Sequence, residues 1–472
     1  MGAHADLPPL DSGFVDGEVS YWYRELGGLP TRRPALVGDT EVDVAVVGGG
    51  LTGLWTAYYL RRSQPDLRIA VLEKEFAGYG ASGRNGGWVS AEMPGQLHRY
   101  AAGHGHEAAV TFQRAMFAAV DEVARVVAQE GIDAHLATDG MLLVATSPAQ
   151  QARLDDHVAE SRHYGWGAED LHELSATEVD HRVVVAGATG GTWSPHAARV
   201  QPARLVRGLA DVVERMGVRV LEGTTVRRIE PGVARTDHGD VRAAVVIRAL
   251  EGYTAGLPGR RRDWLPMSSS MVVTAPLPAD VREQIGWRGS EVLADNAHGF
   301  AYAQRTADGR IALGGRAVPY RYGSRWDRRG ETLGDTVVQL RAMLGRLFPA
   351  VRDVPVEHAW SGVLGVPRDW CATVGLDRAT GLGWAGGYVG HGVTSTNLAG
   401  RTLADLVLGH DSDLVRLPWV GRRVRRWEPE PARWLAVRSL YRAYRLADER
   451  ENASGSPRTS RVATIADRVT GR

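Results

Sequence analysis

Val42-Asp43-Val44-Ala45-Val46-Val47 runs without a break into Gly48-Gly49-Gly50-Leu51-Thr52-Gly53. The first six residues are apolar except for Asp43 and read as a buried strand. Leu54 to Arg62 then reads as a helix, and Leu67 to Leu72 as a second strand ending at Glu73. Together they predict a β-turn-α-β unit, in which each glycine has a task. Gly48 permits the tight turn, Gly50 lets the backbone approach a pyrophosphate, and Gly53 lets helix and strand pack closely. The helix N-terminus offers unpaired N–H groups and a partial positive charge to the phosphates. Glu73 is placed to accept hydrogen bonds from ribose hydroxyls and to repel a 2′-phosphate. The unit predicts a bound dinucleotide, and leaves FAD and NAD equally open.

The rest of the chain bounds the answer. Its 472 residues are enough for two or more folding units. A net charge of +1 argues against a general nucleic-acid binder. No apolar run approaches the roughly 20 residues of a membrane helix. Met1 to Val15 lacks the apolar core of a secretory signal, and Cys371 is the only cysteine, so a cytoplasmic protein without internal disulfides is expected. Lys74 is the only lysine. His98, His104 and His106 lack a ligand pattern, and no metal is expected.

Further elements are expected. Glu107 to Gln129 is an amphipathic helix with Phe117, Val120, Val123 and Val127 on one stripe. Pro202 to Arg215 reads as a helix, and Met141 to Ala145, Val218 to Val226 and Val241 to Ala249 as strands. Met271 to Ala275 and Ile311 to Gly314 read as strands of a different sheet. Gly383 to Gly387 leads through a glycine-rich turn into a helix near Val393. Tyr21, Trp22 and Tyr23 read as a packing anchor. Arg422, Arg423, Arg425 and Arg426 precede an amphipathic helix that suits packing on the protein's own body or a homodimer contact better than a membrane. Ala453 to Thr459 reads as disordered.

The string Gly78-Tyr79-Gly80-Ala81-Ser82-Gly83-Arg84-Asn85-Gly86-Gly87 follows closely on Glu73. With the opening unit it resembles the D-amino-acid oxidase-like (DAO) superfamily of FAD enzymes and, more narrowly, the branch of gamma-glutamylputrescine oxidoreductases. Gly140 to Leu142, Trp193 to Pro202, Gly387 to Thr394 and Leu398 to Arg401 resemble further motifs of that branch, in order. The resemblance implies an α/β fold: a Rossmann-like FAD-binding domain and a second, mixed antiparallel-sheet substrate domain. It implies that Gly48, Gly50, Leu51, Thr52 and Gly53 hold the pyrophosphate and that Glu73 and Lys74 lie at the adenosine end. Gly80, Ala81, Ser82, Arg84, Asn85, Gly86 and Gly87 would run toward the isoalloxazine, and Val226 would meet the adenine. Gly390, His391, Gly392, Val393 and Thr394 would line the flavin at a helix N-terminus, where N–H groups stabilise negative charge. Cys371 does not fall where relatives bond flavin covalently, so FAD is expected to be non-covalent. The chain lacks a proline within Arg368 to Gly375, where the family often has one, and it lacks the oxygen-activating lysine of some amine oxidases.

The expected layout is a leader (1–39), an FAD-binding domain (40–93, 194–262 and 355–445), a substrate domain (94–193 and 263–354) and a polar tail (446–472). The expected activity is oxidation of a small-molecule amine or amino acid at its C–N bond. Hydride would pass to flavin N5, the imine would hydrolyse, and electrons would go to oxygen or another acceptor. Candidates for the substrate and flavin face are His391, Trp88, Tyr302 and Arg305, with Arg316 and Trp360 also considered. Two other readings stay open. One is a flavin-dependent hydroxylase, although neither a second nucleotide fingerprint nor a Gly-Asp flavin motif is visible. The other is a non-catalytic flavin-binding redox protein.

Overall fold

The computed structural model describes residues 13–315, 320–326, 329–460 and 462–463. Thr40–Val47 sits near the middle of an eight-stranded sheet, parallel to Ile69–Leu72 on one side and to Gly239–Arg248 on the other. Arg219–Leu221 extends the sheet beyond Ile69–Leu72, again parallel. Leu382–Gly386 adds in parallel to the end of Gly239–Arg248 and carries Thr373–Asp377 as an antiparallel neighbour. Both faces of the central strand are covered, as parallel strands require. Val44 and Val46 belong to the core beneath the helices Leu51–Ser63, Pro202–Arg215 and Gly392–Leu408. Ala45 and Val47 face a smaller core shared with Val233–Thr236 of a three-stranded antiparallel meander.

The second sheet has nine strands and is mixed. Its order is Val15–Asp16, Val356–Val366, Leu265–Thr274, Ile311–Gly315, Ala301–Arg305, Val292–Asp295, Met141–Ala145, Gly190–Ser194 and His172–Ser175. Most neighbours are antiparallel; the Val15–Asp16 and Val292–Asp295 pairings to Val356–Val366 and Met141–Ala145 are parallel. The α/β fold with a second, mixed sheet is therefore as expected. A ribbon of Trp88–Ser90 and Ala197–Arg199 is separate from both sheets.

Four expectations change. Residues 355–366, assigned to the FAD-binding domain, form a strand that pairs with Leu265–Thr274 along its length in the nine-stranded sheet. Its apolar run reads the same in either sheet, and the partner is far away in sequence. The leader is not separate either: Val15–Asp16 joins that strand, and Tyr21, Trp22 and Tyr23 are buried. Val218 to Val226 is two strands, Arg219–Leu221 and Val226–Glu230, divided at Gly223, whose φ is +69°. The C-terminal helix runs over Ala432–Ser454 and so takes up the start of the stretch expected to be a polar tail, 446–472. Glu451 holds its end, pairing with Arg153 at 2.8 Å and His298 at 3.0 Å and accepting from the Ser460 N–H.

Candidate active site

The two glycine segments meet at the ends of the parallel strands. Gly48 turns the chain with φ +115°, and a Cβ there would sit 2.4 Å from the Ala249 carbonyl oxygen. A Cβ on Gly53 would lie 2.1 Å from the Gly48 oxygen, so helix and turn touch backbone to backbone. Gly50 caps the helix without a side chain. Ser82 Oγ accepts from the Leu51 N–H at 2.9 Å, which docks the second glycine string onto the helix N-terminus. Thr52 Oγ1 lies 3.1 Å from the Tyr388 hydroxyl and ties this helix to the C-terminal glycine segment.

Glu73 follows Ile69–Leu72 and accepts from the Gly49 N–H at 2.8 Å and the Glu75 N–H at 2.9 Å. Burial pushes its carboxyl up to about 7 against those two bonds. Thr224 N–H donates to the Glu73 carbonyl at 2.8 Å, which brings Val226 to the same end of the sheet. The Lys74 side chain is exposed there. Gly80 precedes the short turn Ala81–Gly83 and abuts the Tyr253 ring. Asn85 braces the following loop, donating to the carbonyls of Ala81 and Ser82 and accepting from the Gly87 N–H. Arg84 is buried, donates to the Tyr79 and Ser361 carbonyls and lies over the Tyr79 ring. Gly87 has φ +71° and no room for a Cβ beside Gln304 and the Val200 carbonyl.

A cleft of about 1080 Å³, its open mouth included, lies between the two sheets. Ala81, Arg84, Asn85 and Gly86 line one side, and Gly390, His391, Val393 and Thr394 another. Trp88 and Tyr302 complete the wall between them, with their rings edge to face at 6.0 Å. Tyr302 also exchanges a hydrogen bond with Ser269 at 2.8 Å. His391 is the N-cap of Gly392–Leu408, and its Nδ1 lies 3.2 Å from Glu92. Burial raises the Glu92 carboxyl, but the His391 charge and hydrogen bond, with His157 and Ser90 beside them, hold it below its usual range.

Two of the candidates are not at this site. Arg305 donates to the carbonyls of Arg288 and Gly289, so its guanidinium closes a loop away from the cleft. The strand alternation places Tyr302 and Gln304 toward the glycine string, and Arg305 falls on the other face. Trp360 is fully buried, donates to the Arg84 carbonyl and packs against Trp22. Arg316 lies outside the described residues. Sequence reasoning missed Glu92, Met267, Phe300, Trp370 and Tyr441, which also line the cleft. Only Tyr441 carried a signal, through the amphipathic pattern of its helix.

The residues present fit FAD. Thr394 Oγ1 and Trp88 Nε1 are buried at the cleft without a hydrogen-bond partner in the protein. Gly390 has φ +109° and open space where a Cβ would stand, so a flat ring system can approach the backbone. Among the described residues one cluster has metal-ligand types, His298, Asp448 and Glu451, away from this cleft. There the Glu451 carboxylate is already paired with Arg153.

The chain is similar to known proteins over most of its length. The chain is 30% identical over 373 residues to gamma-glutamylputrescine oxidoreductase of Escherichia coli (strain K12), covering 78% of this chain and 84% of that one. It is 28% identical over 411 residues to the probable oxidoreductase OrdL of Rhizobium meliloti (strain 1021), covering 83% and 89%. In fold it is similar to glycine oxidase from Geobacillus kaustophilus, with TM-score 0.67, 23% identity and coverage of 81% and 99%. L-proline dehydrogenase from P. horikoshii gives TM-score 0.66 at 18% identity, covering 80% and 96%. The family model of the DAO FAD-dependent oxidoreductases matches residues 43–406, and the chain belongs to that family.

Proposed function

We propose that the chain oxidises the C–N bond of a small amine rather than of an α-amino acid. FAD, held in the cleft without a covalent link, would supply the two-electron acceptor for the hydride. The observation that carries this reading is the Glu92–His391 pair at the cleft, beside the turn that leads into Gly392–Leu408. A carboxylate in a wall otherwise rich in aromatic rings attracts an ammonium ion. In its neutral form the His391 ring beside it receives the proton, because only a neutral amine releases hydride. Arg84, the arginine among the described lining residues, is already committed to carbonyls, which leaves a substrate carboxylate poorly matched. Trp88, Tyr302 and Phe300 orient the carbon skeleton, and such positioning supplies most of the rate. Water then hydrolyses the imine.

The same reading sends the electrons to oxygen or to another acceptor, and sets the protein in the cytoplasm, where the buried, unpaired Cys371 is at home. The test is product analysis of the purified holoenzyme with primary amines, secondary amines and α-amino acids. Carbonyl product from amines is expected, with peroxide if oxygen is the acceptor. Carbonyl product from α-amino acids alone would overturn the reading.

A further inference from the structure

A second cleft opens on the other face of the eight-stranded sheet. A Cβ on Gly383 would touch Ile247, which lies in the helix-packed core. Arg248 and Trp384, next along their paired strands, therefore face the opposite side. The cleft encloses about 1630 Å³, its mouth included. Five arginines line it against two carboxylates, Asp263 and Asp377.

Four of those arginines have partners. Arg422 is held by Asp369 and by the carbonyls of Cys371 and Ala372. Arg260 and Arg426 share Asp263 at 3.1 and 3.3 Å, and Arg228 lies 3.3 Å from Glu230. Arg248 differs. Its guanidinium stacks on Trp264 at 4.7 Å, and its Nη1 is buried with no hydrogen-bond partner. A buried cationic donor without an acceptor is costly, and an anion arriving from outside removes that cost. Burial and the nearby Arg260 push the group down to about 10, so it is still charged at neutral pH. The Trp264 and Trp384 rings add flat apolar walls.

We infer that this cleft binds a small oxyanion, phosphate or carboxylate, against Arg248, at a site separate from the flavin cleft. The planar fork of arginine suits both oxyanions. The proposal does not depend on which substrate is oxidised.

The test is thermal denaturation of the FAD-loaded protein with inorganic phosphate and, separately, with citrate. Each is compared with sodium chloride at equal ionic strength. One of the two is expected to raise the Tm by about 2–4 °C at saturation, and which one does so identifies the ligand class. Arg248→Met is expected to lose that increment while keeping its flavin absorbance. Arg260→Ala, at the rim, is expected to need several-fold more anion for the same increment, and serves if Arg248→Met does not fold. The proposal is overturned if neither anion exceeds chloride on the unmodified protein, or if the variant that folds responds as the unmodified protein does.

Discussion

Nδ1 of His391 lies 3.2 Å from the carboxylate of Glu92, where the C-terminal glycine segment enters its helix. The pair joins a helix N-terminus to a carboxylate that the chain delivers from just after the Trp88–Ser90 strand. It is the one place in the cleft wall where a described carboxylate and imidazole meet.

Glu92→Gln removes the charge and keeps the shape. For a cationic amine, KM is expected to rise roughly tenfold, about 1.4 kcal/mol, with a smaller change in kcat. Stability carries the same signature. The native carboxyl sits below its unfolded value, so its contribution is present above about pH 4 and is lost as pH falls through the native value. Thermal denaturation of variant and parent should therefore differ at pH 7 and converge in acid.

Glu251 has the opposite sign. It accepts from the N–H groups of Gly387 and Tyr388, at 3.2 and 3.0 Å, and so fixes the start of the turn that leads into Gly392–Leu408. Burial pushes its carboxyl up to about 7, against those bonds. The native state then holds a proton that the unfolded chain has released, and stability falls as pH rises from about 4.5 toward 7. Gln at this position accepts the same two bonds and never ionises. Glu251→Gln is expected to gain stability over the parent between pH 5 and 8, by up to about 3 kcal/mol, read as a growing difference in Tm.

Two glycines should respond differently to a methyl group. Gly53→Ala forces backbone apart, because the Cβ would stand 2.1 Å from the Gly48 oxygen. It is expected to abolish soluble folded protein or FAD retention. Gly390→Ala meets no atom and suffers only from φ +109°, a strain of about 1–3 kcal/mol. It is expected to fold, with weaker flavin binding on gel filtration.

Arg305→Ala tests the correction to the sequence reading. Its guanidinium is occupied by the Arg288 and Gly289 carbonyls. The variant is expected to lose a little thermal stability and to leave KM for the amine unchanged. A large rise in KM would return Arg305 to the substrate site.

The glycine cradle was legible in sequence because each part is local. A buried strand, the Gly48-x-Gly50-x-x-Gly53 turn, a helix and Glu73 lie within one short stretch. The helix expected near Val393 begins at Gly392, and it was the family resemblance, not a local motif, that pointed to Gly390 to Thr394. Glu92 was not, since a single acid between Ala91 and Met93 gives no hint of a partner on another helix. Strand Val356–Val366 went to the wrong sheet because pairing is a long-range choice that an apolar run does not encode. Arg305 failed on alternation: a slip of one residue moves a side chain to the other face. Glu251, held at φ 45°, had no sequence signal at all, since a glutamate in that conformation is uncommon.

The most direct test of the account is anaerobic titration of the purified protein, followed through its visible flavin absorbance. The account predicts flavin bands in the protein as isolated, and their bleaching by an amine that carries no α-carboxylate. Protein without those bands when isolated, or flavin bleached by NADPH and by no amine, would contradict it.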